Sequence, residues 1–166
     1  MNKKLYLISS HEVDTDSAFH SLIGAHKSLE AAVTRMQKAI YDEFEDIKEW
    51  WEENEDDDSV EEQYQEWIEE NYLNEECTLW SYTDDDPVEH TFQIHPIEVD
   101  NDLSEPYALL CTRVDGVDNK TEVLGVYSSL DAADKALEAY QSEAQCEEDE
   151  DCFVENVVTV ERFTIE

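Results

Sequence analysis

The sequence predicts a mixed α+β fold built from two tandem ββαβ-type units, the first enlarged by an inserted acidic helical segment. Three observations predict it. Short apolar runs of strand length open each half, and apolar residues at three- and four-residue spacing follow them. The second half repeats the first at a constant offset of 101 residues. The ends of the two halves also match, at an offset of 66, so the first half holds 35 residues that the second lacks.

Residues Lys4–Ser10 read as a strand, carried by Leu5, Tyr6, Leu7 and Ile8. A polar turn at Glu12–Asp16 separates it from a second strand, Ala18–Ala25, which ends near Gly24. Ser28 is an N-cap candidate. Leu29, Val33, Met36, Ile40, Phe44, Ile47 and Trp51 then form a helical stripe of about six turns. The polyacidic run NEDDDS ends that helix. Ser59, with Glu62 three residues on, makes a capping box for a second helix, whose Val60, Tyr64, Trp67 and Ile68 lie on one side. Two strands follow, Cys77–Thr83 and His90–Val99, separated by DDDP. Residues 1–100 thus form the first unit, with the acidic helical insertion at about 42–83, and 101–106 a linker. Residues 107–166 form the second unit, with a helix at Leu130–Ala144 and an acidic loop at Cys146–Asp151.

The internal match is residue by residue. Tyr6 falls on Tyr107, Ile8 on Leu109, Asp14 on Asp115 and Leu22 on Val123. The run Ile23–Ala32 (IGAHKSLEAA) lies on Leu124–Ala133 (LGVYSSLDAA). At the ends, Phe92, Ile94, Ile97 and Val99 fall on Val158, Val160, Phe163 and Ile165. The short linker predicts that the halves touch, either sharing one sheet or packing as a pair.

Composition supplies the functional signal. The chain has 166 residues, 40% of them hydrophobic, and a net charge of −35. Small soluble domains usually carry about 2–8 net charges, and self-repulsion at higher density opposes a compact state. Three causes would account for the charge: a basic partner, a cation-rich environment, or solvation alone. The stretch Asp42–Glu76 holds eighteen Asp and Glu against one base, Lys48, and interleaves them with aromatic residues that a disordered acidic tail lacks. Salt adaptation would spread the acid more evenly. Nucleic acid and anionic membranes would be repelled, so neither is expected as a direct partner. The N-terminal apolar run stops after Ile8, too early for a signal peptide, and no stretch approaches a membrane span, so the chain reads as cytoplasmic. Cys77, Cys111, Cys146 and Cys152 form no CxxC pair that would suggest zinc. Cys146 and Cys152 could pair across EEDED, but free thiols are expected in a reducing compartment.

Catalytic and metal signatures are missing from the sequence. There is no Ser–His–Asp set, GxSxG, P-loop or dinucleotide fingerprint, and three glycines leave little for a phosphate-cradling loop. Asn54, Asp56 and Asp58 start like a calcium loop, but Ser59 stands where Gly is needed and Gln65 where Glu is needed. His90 and His95 fall on opposite faces of a strand, and His26 aligns with Tyr127, so the histidines read as structural. No enzyme, cofactor or metal is expected.

The candidate partner-binding surface is therefore electrostatic. Glu45, Glu49, Glu52 and Glu53 recur at one-turn spacing on the first helix, as do Glu62, Glu66, Glu69 and Glu70 on the second. Like charges at this spacing each cost an isolated helix about 0.2–0.5 kcal/mol. A turn advances about 5–6 Å, comparable to the separation of neighbouring phosphates on a nucleic-acid strand. Glu55, Asp56, Asp57 and Asp58 extend the surface, and Asp84, Asp85 and Asp86 form a second acidic loop. Trp50 lies off the helical stripe, either covering the second helix or serving as an exposed apolar anchor, and Trp80 is a further apolar contact candidate.

In size and composition the chain resembles the acidic anti-defence proteins of phages and mobile elements, the anti-restriction and anti-CRISPR classes. The second unit, with GVYSS and alanines one turn apart in its helix, resembles small modules of bacterial and phage proteins over about 60 residues. The first resemblance implies a non-enzymatic inhibitor that presents carboxylates to a basic nucleic-acid-binding protein in place of phosphates. The alternative is an immunity protein or antitoxin against a basic nuclease toxin, with the same physics and a partner encoded beside it. A homodimer is compatible with either.

Overall fold

The computed structural model describes residues 3–14, 17–52, 60–70, 72–74, 76–83, 88–99, 103, 106–114, 119–144 and 155–166. For 47–52, 60, 61, 63, 70, 72, 73, 143, 144 and 155 it describes the backbone alone. The fold is mixed α+β. In chain order the elements are β1 (Lys3–Val13), β2 (Ala18–His26), α1 (Leu29–Glu52), α2 (Val60–Glu70), β3 (Tyr72–Leu73), β4 (Leu79–Thr83), β5 (Glu89–Val99), β6 (Tyr107–Val114), β7 (Lys120–Tyr127), α3 (Leu130–Ala144) and β8 (Glu155–Arg162). They form a five-stranded sheet of order β2-β1-β5-β4-β3 and a three-stranded sheet of order β7-β6-β8. Pairing within both sheets is antiparallel.

Local chemistry sets the corners. Asp14 turns β1 into β2: its carboxylate accepts from the Ser17 amide at 2.7 Å and the Ser17 hydroxyl at 3.0 Å. Ser28 Oγ accepts from the Ala31 amide and caps α1, and Ser129 Oγ accepts from the Ala132 amide to cap α3. Asn74 Oδ1 accepts from the amides of Thr78 and Leu79 and closes the β3–β4 turn, in which Cys77 takes a φ of 54°.

Strand alternation divides each sheet into two faces. On the outer face of the larger sheet, Ile8, Phe92, Ile94, Trp80 and Tyr82 pack against Met36, Ile40 and Phe44 of α1 and Trp67 of α2. On its inner face, Leu5, Leu7, Ala25 and Val99 meet Ala108, Leu110 and Phe163 of the other half. α3 covers the far side of the smaller sheet, where Ala133 is buried and Tyr140 reaches Cys111. The layers run helices, sheet, sheet, helix. After β8 the chain crosses back: Glu166 donates its amide to the Ala25 carbonyl, and Ile165 bridges Ala25 in parallel.

One expectation needs correction. β1 continues to Val13 instead of turning at Glu12, because Ser10 to Val13 pair with both neighbouring strands. Within the segment at 42–83 the strand expected at Cys77–Thr83 forms as β4, Leu79–Thr83. α1 runs through the start of the segment to Glu52, and β3 pairs alongside β4. Ser59 and the NEDDDS run lie outside the described residues, as do Cys146, Cys152 and the Cys146–Asp151 loop.

The hairpins β1–β2 and β6–β7 share register. Tyr6 pairs with His26 as Tyr107 pairs with Tyr127, and each hairpin shifts register once, between Ile8 and Ser9 and between Leu109 and Leu110. The strand added beside the first member also matches: Tyr6 pairs with Pro96, and Tyr107 with Arg162.

Candidate functional site

The acidic face is held by aromatic packing beneath it. Tyr64 of α2 sits edge-on to Tyr41 and Phe44 of α1, with ring centroids 5.0 and 5.2 Å apart. Trp67 meets Phe44 at a tilt, with centroids 5.3 Å apart, and sits edge-on to Trp80 at 4.7 Å and Tyr82 at 5.1 Å. Edge-to-face pairs of this kind contribute about 0.5–1.5 kcal/mol beyond the area they bury. Six rings from two helices and a strand thus fix α2 against α1. Their solvent sides carry Asp42, Glu45 and Asp46 on α1 and Glu62, Glu66 and Glu69 on α2, all exposed. Lys38 pairs with Asp42 at 2.7 Å, which balances one carboxylate at the start of this face.

Of the residues expected at the site, Glu45 is exposed on α1 and Glu62, Glu66 and Glu69 are exposed on α2. Glu49, Trp50 and Glu52 belong to the last turns of α1 and Glu70 ends α2, where only the backbone is described. Glu53, Glu55, Asp56, Asp57, Asp58, Asp84, Asp85 and Asp86 lie outside the described residues. Trp80 is a correction. It is fully buried and ringed by Trp67, Tyr82 and Phe92, so it is a core residue and no partner can touch it. Its place on β4 puts it under α2 instead of beside the acids.

A groove that spacing could not reveal runs between α1 and the outer face of β1, β2 and β5, with a volume of about 410 Å³. Glu12, Asp42, Glu43 and Asp46 line it, together with Arg35, His90 and the Ser10–Ser21 hydroxyl pair. His90 stacks flat on Tyr82, with centroids 4.5 Å apart, and its Nδ1 lies 3.8 Å from Glu12 and 3.7 Å from Glu43. Tyr82 donates its hydroxyl to Glu43 at 2.8 Å. The groove continues the acidic face of α1 onto the sheet and favours cationic groups. No group of three or more His, Cys, Asp or Glu residues among those described is arranged to hold a metal ion.

A second polar cluster lies between the sheets. His11 stands opposite His20 on β2 and Thr91 on β5. His11 Nδ1 bonds Thr121 Oγ1 at 2.8 Å, Thr121 bonds Thr112 at 2.7 Å, and Thr112 bonds His20 Nδ1 at 2.7 Å. His20 Nε2 continues to Thr159, and His95 Nε2 bonds Ser9 at 2.8 Å. Burial lowers His11 to about 4, with repulsion from His20 adding to it. Burial also lowers His95 to about 4, helped by His11. His20 is lowered by burial, partly offset by Glu161. Burial raises the Cys111 thiol, which keeps it a poor nucleophile. The histidines were legible only as structural residues; the hydroxyl partners of His11 and His20 sit in the other half, where no local pattern links them.

The chain matches no protein-family model, no curated protein and no solved structure.

Proposed function

We propose that this chain is a non-enzymatic, cytoplasmic inhibitor of the anti-restriction or anti-CRISPR type, whose carboxylates occupy the phosphate-binding groove of a basic nucleic-acid-binding protein. The observation that carries the reading is the clamped helix pair: Glu45, Glu62, Glu66 and Glu69 are exposed on two helices fixed by Phe44, Tyr64 and Trp67. A fixed array does not have to be ordered on binding, so little of its electrostatic gain is lost as entropy. The cost of like charges at one-turn spacing is offset in the complex, where Lys and Arg side chains neutralise them. The acid-lined groove beside His90 extends the same potential around the molecule.

We read the scaffold as two tandem ββαβ units. The matched register, the paired shifts at Ile8 and Leu109, and the Ser28 and Ser129 caps support duplication. The added segment then supplies both the acidic helix α2 and the buried Trp67, Trp80 and Tyr82 that hold it in place.

Competition against labelled duplex DNA tests the reading. The protein is titrated into complexes of that duplex with restriction and CRISPR effector enzymes. Displacement at low salt that weakens as salt rises supports it. Failure to displace DNA from any basic enzyme, with the fold intact, would overturn it.

A further inference from the structure

The polar layer between the sheets has no part in the charge-mimic reading, yet it is built from titratable groups. The inter-sheet contact changes character along the strands. Leu5, Leu7, Ala25 and Val99 form a dry half with Ala108 and Leu110, whereas the other half is a hydrogen-bonded chain, Thr159–His20–Thr112–Thr121–His11. Each half of the molecule contributes to every link across the gap: His11 and His20 come from the larger sheet, Thr112, Thr121 and Thr159 from the smaller. All but Thr159 are buried. His11 Nε2 is buried with no hydrogen-bond partner.

Neutral imidazoles satisfy this chain in either direction. If His11 Nδ1–H donates to Thr121, the hydroxyls pass the donation through Thr112 to His20 Nδ1, and His20 Nε2–H donates to Thr159. The reverse order works equally well. In the first order Nε2 is the bare nitrogen, and a proton added there gains a charge and no hydrogen bond; in the reverse order Nε2 already carries the hydrogen, and a proton added at Nδ1 faces the donating Thr121 hydroxyl and displaces it. A proton on His20 places an imidazolium beside His11, its cross-strand neighbour.

The surroundings offer little compensation. β2 contributes His20 itself, and β5 contributes His95 and Glu89. The Glu89 carboxylate is engaged by Asn119 at 2.7 Å and by Thr91 at 3.4 Å. β8 contributes Glu161, which accepts from the Leu22 amide at 2.8 Å. β6 and β7 present only the hydroxyls of Thr112 and Thr121, while Arg113, Lys120 and Glu122 are exposed. A second buried positive charge would have two nearby carboxylates, Glu89 and Glu161, both already engaged by hydrogen-bond donors.

We infer that the His11–Thr121–Thr112–His20 chain is a proton-operated latch: it holds the two sheets together while both imidazoles are neutral and releases them when the imidazoles are protonated. Release separates the inner faces and leaves the outer core around Trp80 packed, because every ring of that core lies on the far side of the larger sheet.

The test is a pH series on the whole protein by NMR, run from about pH 7.5 to about pH 3.5 so that it passes through the value of about 4 for His11, with imidazole resonances separating histidine protonation from carboxylate titration. Imidazole resonances of His11 and His20 report protonation. Cross-peaks between His11 and Thr121, and between His20 and Thr112, report the sheet contact. Fluorescence of Trp67 and Trp80 reports the outer core. Imidazole protonation displaced well below the ordinary histidine range, coincident with loss of the cross-peaks and ahead of any tryptophan change, is the expected result. The double variant His11→Gln with His20→Gln keeps hydrogen-bonding capacity without titrating, and should retain the contact across the series. Protonation near about pH 6.5 with the cross-peaks unchanged would overturn the latch. So would tryptophan exposure that accompanies or precedes their loss. The wild-type series decides the question even if the double variant does not fold.

Discussion

Tyr64 on α2 meets Phe44 on α1 edge-on, with ring centroids 5.2 Å apart, and this contact joins the two acidic helices into one surface. Phe44 is fully buried, whereas Tyr64 is half-buried at the helix–helix seam. Phe44→Ala should therefore destabilise the whole fold by about 3–5 kcal/mol, as an aromatic core deletion does. Tyr64→Ala should cost less, about 1–3 kcal/mol, and loosen α2 selectively. Urea unfolding gives the two stabilities, and hydrogen exchange across Val60–Glu70 shows whether α2 opens before the sheet.

Trp80 separates core from surface. It is fully enclosed, so Trp80→Phe should lower stability by about 1–3 kcal/mol through lost packing and leave binding of a basic partner unchanged at a temperature where the variant is folded. Calorimetry and a binding titration on the same sample check both halves of the statement. Weakened binding without loss of stability would place Trp80 on the surface.

Acid should destabilise the protein before its carboxylates titrate. His11 and His95 are lowered from 6.5 to about 4 in the folded chain. Between those values the unfolded chain binds protons that the native state does not, so stability falls as pH drops through that window. The loss reaches at most roughly 3 kcal/mol for each histidine near the lower end, on the scale of 1.36 kcal/mol per pKa unit. Protonating carboxylates relieves self-repulsion, but chiefly below about pH 5, where unperturbed Asp and Glu begin to titrate. Urea midpoints taken from about pH 7.5 down to about pH 5 should decline, and a His11→Gln variant should decline less.

The two hairpin glycines should differ. A Cβ on Gly24 would meet only His26 Nε2, at 3.7 Å, an ordinary contact. A Cβ on Gly125 would fall 2.6 Å from the Tyr127 hydroxyl and 2.9 Å from the ring carbon bearing it, so the ring must shift. Gly125→Ala should cost about 1 kcal/mol more than Gly24→Ala, and Tyr127→Ala should remove the difference. Thermal unfolding of the two single variants and the Gly125→Ala, Tyr127→Ala double variant measures it.

How much could be read in advance follows from the range of each interaction. Met36, Ile40 and Phe44 were visible as core because helical periodicity is local. The offset that placed Tyr6 on Tyr107 also anticipated equivalent pairings, Tyr6 with His26 and Tyr107 with Tyr127, because register depends on positions within one hairpin. Trp80 was misassigned as a surface contact because nothing in LWSYT shows which face β4 turns toward α2. The chain between His11 and Thr121 was invisible for the same reason, since its ends lie 110 residues apart. Glu45 and Glu66 were legible as exposed acids, but their shared rigid base was not, because it depends on Trp67 reaching Trp80 and Tyr82.

The most direct measurement is the salt dependence of binding to a basic nucleic-acid-binding enzyme that the protein displaces from duplex DNA. The wild type is compared with a variant carrying Glu45→Gln, Glu62→Gln, Glu66→Gln and Glu69→Gln. Wild-type affinity should fall at least about tenfold between about 50 and about 300 mM salt, as screened surface charges require. The variant should keep its stability, bind more weakly at low salt and show a flatter dependence on salt. Equal affinity and equal salt dependence for the two proteins would contradict a role for these carboxylates in place of phosphates.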